Sequence, residues 1–255
     1  MNIFPRLGLA PLALAGSLTA CLPSTVVAPS FENPIAGKAV LFIGNSLTYY
    51  NDLPVLVQGI ADAAGGDSLI IAMVAGPDMA LVDHWNTGKA REAIGGRKWD
   101  YVVLQQGPSS TTVNRDSLRT MARLFEPSIT SAGAKAVLFS TWPAADRRQD
   151  FPRAAESYQL AAADVNGLYA PVANAWIEAW NRDPGLSLYA DGLHANSTGS
   201  YLAALVIYSR ITGKSPVGLP STFRLRNGGS VNFPIELTTL LQTAAWAAVG
   251  PTLQL

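Results

Sequence analysis

Three residues of this chain have the types and spacing for nucleophilic acyl chemistry. Ser46 follows the apolar run Ala39-Val40-Leu41-Phe42-Ile43, within Gly44-Asn45-Ser46-Leu47-Thr48. Asp191 and His194 stand three apart in Asp191-Gly192-Leu193-His194. A serine hydroxyl is a weak nucleophile until a base takes its proton, and near neutral pH histidine is the usual base. Only two histidines are present, His84 and His194, so the choice of base is narrow. A carboxylate three residues before an imidazole can hold one ring nitrogen from a tight turn and direct the other at a serine. Gly-x-Ser or Asp-x-x-His alone specifies little. Placed towards opposite ends of one domain, the two together point to a Ser46, Asp191 and His194 triad.

Such a triad needs elements that bring distant segments together. From Lys38 the sequence alternates short apolar runs with longer helix-like segments. Strands are predicted at Ala39–Ile43, Ser68–Val74, Asp100–Gln105, Lys135–Ser140 and Leu168–Val172. Helices are predicted over Leu53–Ala64, Ser117–Ala132, Phe151–Asn166, Asn174–Trp180 and Ile235–Ala248. Asp52 is expected to cap the first of these, with Pro54 tolerated in its first turn. Gly65-Gly66 and Gly133 serve as helix stops. Asn227-Gly228-Gly229 inside Thr222–Phe233 is a hairpin signal. Alternating strands and helices predict one α/β domain, a three-layer sandwich with a parallel sheet between two helical layers. In such sheets ligands sit outside the carboxyl ends of the strands. Gly44–Thr48, Gly76-Pro77-Asp78, Gln105-Gln106-Gly107-Pro108-Ser109 and Thr141-Trp142-Pro143 each follow a predicted strand, so they converge on one crevice.

These motifs resemble the SGNH, or GDSL-type, hydrolases over about Lys38 to Arg210. Gly44–Thr48 is similar to the family's first block, with Asn45 in place of its common aspartate. The Gly76 region and Asp191–His194 are similar to the second and last blocks. The third block commonly carries Gly-x-Asn-Asp, whose asparagine is an oxyanion donor; here Gln105-Gln106-Gly107 stands in its place. The resemblance implies the flavodoxin-like SGNH fold and a serine esterase working through an acyl-enzyme on Ser46. Its oxyanion hole would comprise the backbone N–H groups of Ser46 and Gly76 and a glutamine amide, Gln106 or Gln105. No metal or organic cofactor is implied. A Gln-Gly pair is closer to some carbohydrate-esterase branches, which favours deacetylation of carbohydrate or other small acylated substrates. A lipase or lysophospholipase, an acyltransferase and a catalytically silent envelope protein are the other readings.

Lesser candidates surround this set. Trp85 and Trp142 either wall the site for a sugar ring or pack in the core. Asp78 either faces the site or caps the following helix, and His84 reads as a helix residue near the second block.

The N-terminus addresses location. Arg6 and the apolar stretch Leu7–Gly16 read as an export signal, too short for the roughly twenty residues of a membrane span. Leu18-Thr19-Ala20-Cys21 resembles the lipobox of bacterial lipoproteins, and Cys21 is the single cysteine of the chain. The resemblance implies cleavage before Cys21 and its lipidation. Residues 21–36, with Pro23, Pro29 and Pro34, then form a tether reaching roughly 50 Å at about 3.3 Å per residue. A lipid-anchored enzyme of the bacterial envelope is expected, with Leu22 favouring the outer membrane. With 18 basic against 18 acidic residues, no electrostatic footprint for nucleic acid is present.

Overall fold

The computed structural model describes residues 37–66 and 68–250. The signal segment, Cys21 and the tether lie outside the described residues.

Five strands form the central sheet: β1 (Gly37–Gly44), β2 (Ser68–Ala75), β3 (Tyr101–Leu104), β4 (Lys135–Phe139) and β5 (Leu168–Ala170). All pair in parallel, in the order β2-β1-β3-β4-β5. β1 is an interior strand covered on both faces, which is why it reads as an unbroken apolar run rather than an alternation. Its successive side chains feed opposite cores. Val40 and Phe42 enter one cluster, and Leu41 and Ile43 the other. Each such side chain contributes roughly 1.5–3 kcal/mol by leaving water.

The first cluster is covered by α2 (Leu53–Ala63), α7 (Val172–Arg182), α8 (Ser197–Thr212) and α9 (Ile235–Val249). The second lies under α3 (Leu81–Thr87), α4 (Lys89–Gly95) and α5 (Thr112–Ser131). α6 (Phe151–Asp164) serves both, sending Phe151 one way and Tyr158 the other. The result is the expected three-layer α/β sandwich. α8 is buried from Gly199 to Ser209, so its sequence lacks a polar stripe. A hairpin, β6 (Thr222–Arg224) with β7 (Ser230–Asn232), joins α8 to α9 around Asn227-Gly228-Gly229. Among the described residues no helix is long and apolar enough to cross a membrane.

Two local expectations are corrected. α5 begins at Thr112 rather than Ser117, because Thr111 caps it by accepting from the Asn114 N–H. Asp52 makes no capping bond to α2; its backbone is left-handed and its carboxylate accepts from Asn227 Nδ2. Pro54 does occupy the first turn of α2.

The strand order reverses direction between β1 and β3, because the chain adds β2 on one side of β1 and β3 on the other. The crevice of an open α/β sheet opens at such a switch point. Ser46 leaves the end of β1 and Gln105 the end of β3, so both stand at it.

Candidate active site

The segment of the candidate nucleophile is a short helix, α1 (Ser46–Tyr49), capped by Asn45. Asn45 is 7% exposed and uses both halves of its amide. Its Oδ1 accepts from Leu47 N at 3.1 Å and from Gln105 Nε2 at 2.9 Å, while its Nδ2 donates to Met79 O at 3.1 Å. An aspartate could accept the first two bonds but not donate the third. Asparagine is therefore the residue this environment requires. Among the described residues nothing accepts from the Ser46 backbone N–H.

Gln105 organises the strand end beneath this helix. It is fully buried, and its Oε1 accepts from Asn45 N at 2.9 Å and Thr48 Oγ1 at 2.7 Å. Its Nε2 donates to Asn45 Oδ1 and to Gln106 O. Gly44 passes so close that a Cβ there would run into Gln105 Oε1 and Thr48 Oγ1. Gln106, also buried, donates from Nε2 to Ser109 Oγ at 3.0 Å and Asn114 O at 3.3 Å, and accepts from Leu81 N. The Tyr158 hydroxyl accepts from Gln106 N at 3.0 Å and donates to Gln106 O at 2.7 Å. Its burial pushes the phenol well above its usual range, so it remains a neutral donor.

These bonds correct the expected oxyanion hole. Both amide hydrogens of Gln105 and both of Gln106 are already committed to protein acceptors, so neither glutamine offers a free donor. Gly76 N–H is committed as well, to Gly44 O at 3.3 Å. Of the four groups expected there, the Ser46 N–H is the one left open.

The candidate acid–base pair, Asp191 and His194, sits in the turn before α8. Gly192 has φ +88°, a conformation glycine adopts without a steric penalty, and it lets the turn fold back tightly. Asp191 Oδ1 accepts from Leu193 N at 2.9 Å and His194 N at 2.7 Å, and Oδ2 meets His194 Nδ1 at 2.7 Å. The bond from the imidazole and those from the two backbone amides lower the Asp191 carboxyl to about 2. An ionised carboxylate only accepts, so Nδ1 carries the proton and Nε2 is left as the basic nitrogen. The turn is fixed from outside: Trp142 Nε1 donates to Leu193 O at 2.9 Å, and Ala145 N to Gly192 O at 2.8 Å.

The two halves meet through Tyr50. Its ring stacks on the His194 ring, with centroids 4.7 Å apart and planes at 22°, and its backbone N–H donates to Ser46 O. Residues four apart on a helical turn share one side. His194 is therefore packed against the turn that begins at Ser46. Tyr50 is 39% exposed, so the ring stacked on His194 also presents an aromatic surface to solvent.

Sequence reasoning did not single out Tyr50, Asn51, Thr48 or Tyr158, although the polar run Tyr50-Asn51-Asp52 just after the nucleophile block was a usable signal. His84 is buried on α3, and its Nε2 donates to Gly44 O at 2.8 Å. Burial outweighs that bond and the nearby Asp83 charge, lowering its pKa and keeping the ring neutral. It braces the carbonyl two residues before Ser46. Both tryptophans take the core-packing alternative. Trp142 is 1% exposed and stacks on Trp176 in one core, whereas Trp85 packs edge-on to Phe125 beside the other. Asp78 is exposed and left-handed and does not cap α3; Asp83 does so, accepting from Ala80 N at 2.8 Å.

No protein-family model matches the chain, and no curated protein matches it. Solved structures do. A DUF4886 family protein from Bacteroides uniformis is 18% identical, with a TM-score of 0.69, over 84% of this chain and 95% of its own. A protein from Slackia heliotrinireducens assigned to the SGNH hydrolases is 27% identical, with a TM-score of 0.57, over 69% and 99%. An acetylxylan esterase from Geobacillus stearothermophilus is 16% identical, with a TM-score of 0.52, over 70% and 97%. This chain has the SGNH-hydrolase fold. Within that fold, Ser46 follows β1, and Asp191 with His194 precedes α8.

Proposed function

We propose that the protein is a serine esterase with Ser46 as nucleophile, His194 as general base and Asp191 as its orienting carboxylate. The observation that carries this reading is the Asp191–His194 pair, tautomer fixed and Nε2 unspent, stacked through Tyr50 onto the helical turn that begins at Ser46. Ser46 Oγ attacks an ester carbonyl as Nε2 takes its proton, and Asp191 stabilises the imidazolium that forms. The Ser46 N–H receives the developing oxyanion; one such donor is worth about 3 kcal/mol of barrier. The imidazolium then gives its proton to the departing alcohol. Water, deprotonated by His194, attacks the acyl-enzyme and releases the acid and free Ser46.

The substrate is read as a small acyl ester of a carbohydrate or comparable alcohol. The half-exposed Tyr50 ring beside His194 supports it, because an aromatic face suits a sugar ring. The fold shared with an acetylxylan esterase is consistent with the same reading. A lipase of the same fold is the competing form. Initial rates on acetyl, butyryl and longer acyl esters of one chromogenic alcohol, with Ser46→Ala as control, test both. Acetyl esters should be fastest and the variant silent. A preference for long chains would transfer the reading to a lipase, and no hydrolysis by the wild type would remove the enzymatic reading.

The Cys21 segment supports a companion proposal, that lipidation anchors the domain to the bacterial envelope, at the outer membrane. Cys21→Ser should move the protein from the membrane fraction to the soluble one, and an unchanged distribution would overturn the anchor.

A further inference from the structure

We infer that Asn51 is a positioning residue, clasping the acid–base loop to the nucleophile helix through its side-chain amide. This rests on the esterase reading above. Asn51 Nδ2 donates to two groups of the acid–base segment, Ala195 O at 2.9 Å and Ser200 Oγ at 2.9 Å. Ala195 directly follows His194, and Ser200 lies in the first turn of α8. Both acceptor residues are buried, at 1% and 2% exposure, while Asn51 itself stands at the surface, so its amide reaches inward to two fixed acceptors. No other side-chain hydrogen bond among the described residues joins 46–52 to 189–200; the Tyr50–His194 stack is the contact beside it.

The backbone gives a second, independent observation. Asn51 (φ 55°, ψ 26°) and Asp52 (φ 52°, ψ 44°) are consecutive non-glycine residues in the left-handed region. Asparagine and aspartate tolerate this region better than other side chains, yet it is still disfavoured, and it persists only where surrounding contacts fix it. Here the Asn51 amide fixes one residue and the Asn227 bond to Asp52 Oδ2, at 3.1 Å, fixes the other. The strained pair turns the chain sharply between α1 and α2. That turn places the Tyr50 ring on His194 while Tyr50 N–H stays on Ser46 O. A glycine would make the same turn with less strain but without the amide. The presence of asparagine is thus explained by its side-chain bonds and not by the turn.

The amide sets where the imidazole stands relative to the serine, and displacement by about 1 Å at a reacting centre can cost about 100-fold in rate. Asn51→Gly separates the clasp from the turn, and Asn51→Asp keeps the shape and the left-handed tolerance while removing the donor. With a chromogenic acetyl ester, both variants should lose about 10- to 100-fold in kcat with KM within about twofold. The thermal midpoint of Asn51→Gly should stay within a few degrees of wild type, and nuclear Overhauser contacts between the Tyr50 and His194 rings should weaken. Wild-type kcat in Asn51→Gly would overturn the positioning role while leaving the esterase reading intact. A parallel loss of kcat and thermal midpoint in both variants, with the ring contacts unchanged, would also overturn it, since that is structural support alone. A wild type inert to the ester panel would remove the esterase reading itself, and the positioning role with it.

Discussion

Asn45→Asp puts the residue common in SGNH hydrolases into this chain, and the structure gives reason to expect harm. The side chain is 7% exposed. Its Nδ2, which donates to Met79 O at 3.1 Å, would become a carboxylate oxygen facing a carbonyl oxygen. Loss of that hydrogen bond costs about 1 kcal/mol, and leaving two desolvated acceptors face to face adds roughly 2–3 kcal/mol. Turning the side chain over does not relieve the clash, because a carboxylate presents an oxygen to Met79 O either way. Against this, the bonds from Leu47 N and Gln105 Nε2 become charge-assisted and return about 1 kcal/mol. The net is about 2–3 kcal/mol of destabilisation. At roughly 2–4 °C per kcal/mol for a domain of this size, the thermal midpoint should fall by about 5–10 °C. Calorimetry of the two proteins in one buffer at pH 7 measures it. A midpoint within about 1 °C of wild type would refute the reasoning, because Asn45 would then be interchangeable with aspartate and its donor bond to Met79 of no consequence.

Other consequences are equally open to measurement. Asp191→Asn should lower kcat by on the order of 10⁴-fold by removing the acceptor that fixes the Nδ1–H tautomer, with little change in KM. Because the Asp191 carboxyl lies near 2, it stays ionised as pH falls and should contribute no limb to the rate profile at or above about pH 4; a limb near pH 4 that disappears in Asp191→Asn would contradict the bonding at Asp191. For His84 the folded-state pKa is lowered, so below about 6.5 the unfolded chain binds a proton that the buried ring refuses. Its contribution to stability is therefore complete above that pH and declines as pH falls below it. His84→Phe should be less stable at pH 7, through the lost bond to Gly44 O, and should show a shallower decline between pH 6.5 and 5. Parallel stability–pH curves would show that His84 is not buried as a neutral ring.

How much was legible in the sequence depended on whether a feature was local. β1 could be read because a strand buried on both faces must be apolar at every position. The Asp191 turn could be read because both partners lie within four residues. What stayed hidden required knowing what lies opposite a side chain. Gln105 and Gln106 have the chemistry of oxyanion donors, but the Gln105 amide is turned to Asn45, sixty residues away, and to Gln106 O, while the Gln106 amide folds back on Ser109 and Asn114 O, a local choice that composition does not reveal. Trp142 follows a strand end as a substrate-facing ring would, yet Trp176 from α7 covers it. Asp52 has the composition of a helix cap, but the hairpin turn 175 residues away claims its carboxylate. Asn51 drew no notice in the sequence, because its partners, Ala195 O and Ser200 Oγ, lie more than 140 residues away.

The most direct measurement is the site of a covalent adduct. The full-length protein is treated with a fluorophosphonate, which forms a stable ester with an activated serine, and the modified peptide is mapped by mass spectrometry. One adduct should form, on Ser46, at a rate that collapses in His194→Ala and Asp191→Asn. An adduct on another serine, or labelling that persists undiminished in Ser46→Ala, would contradict the assignment of Ser46 as the nucleophile.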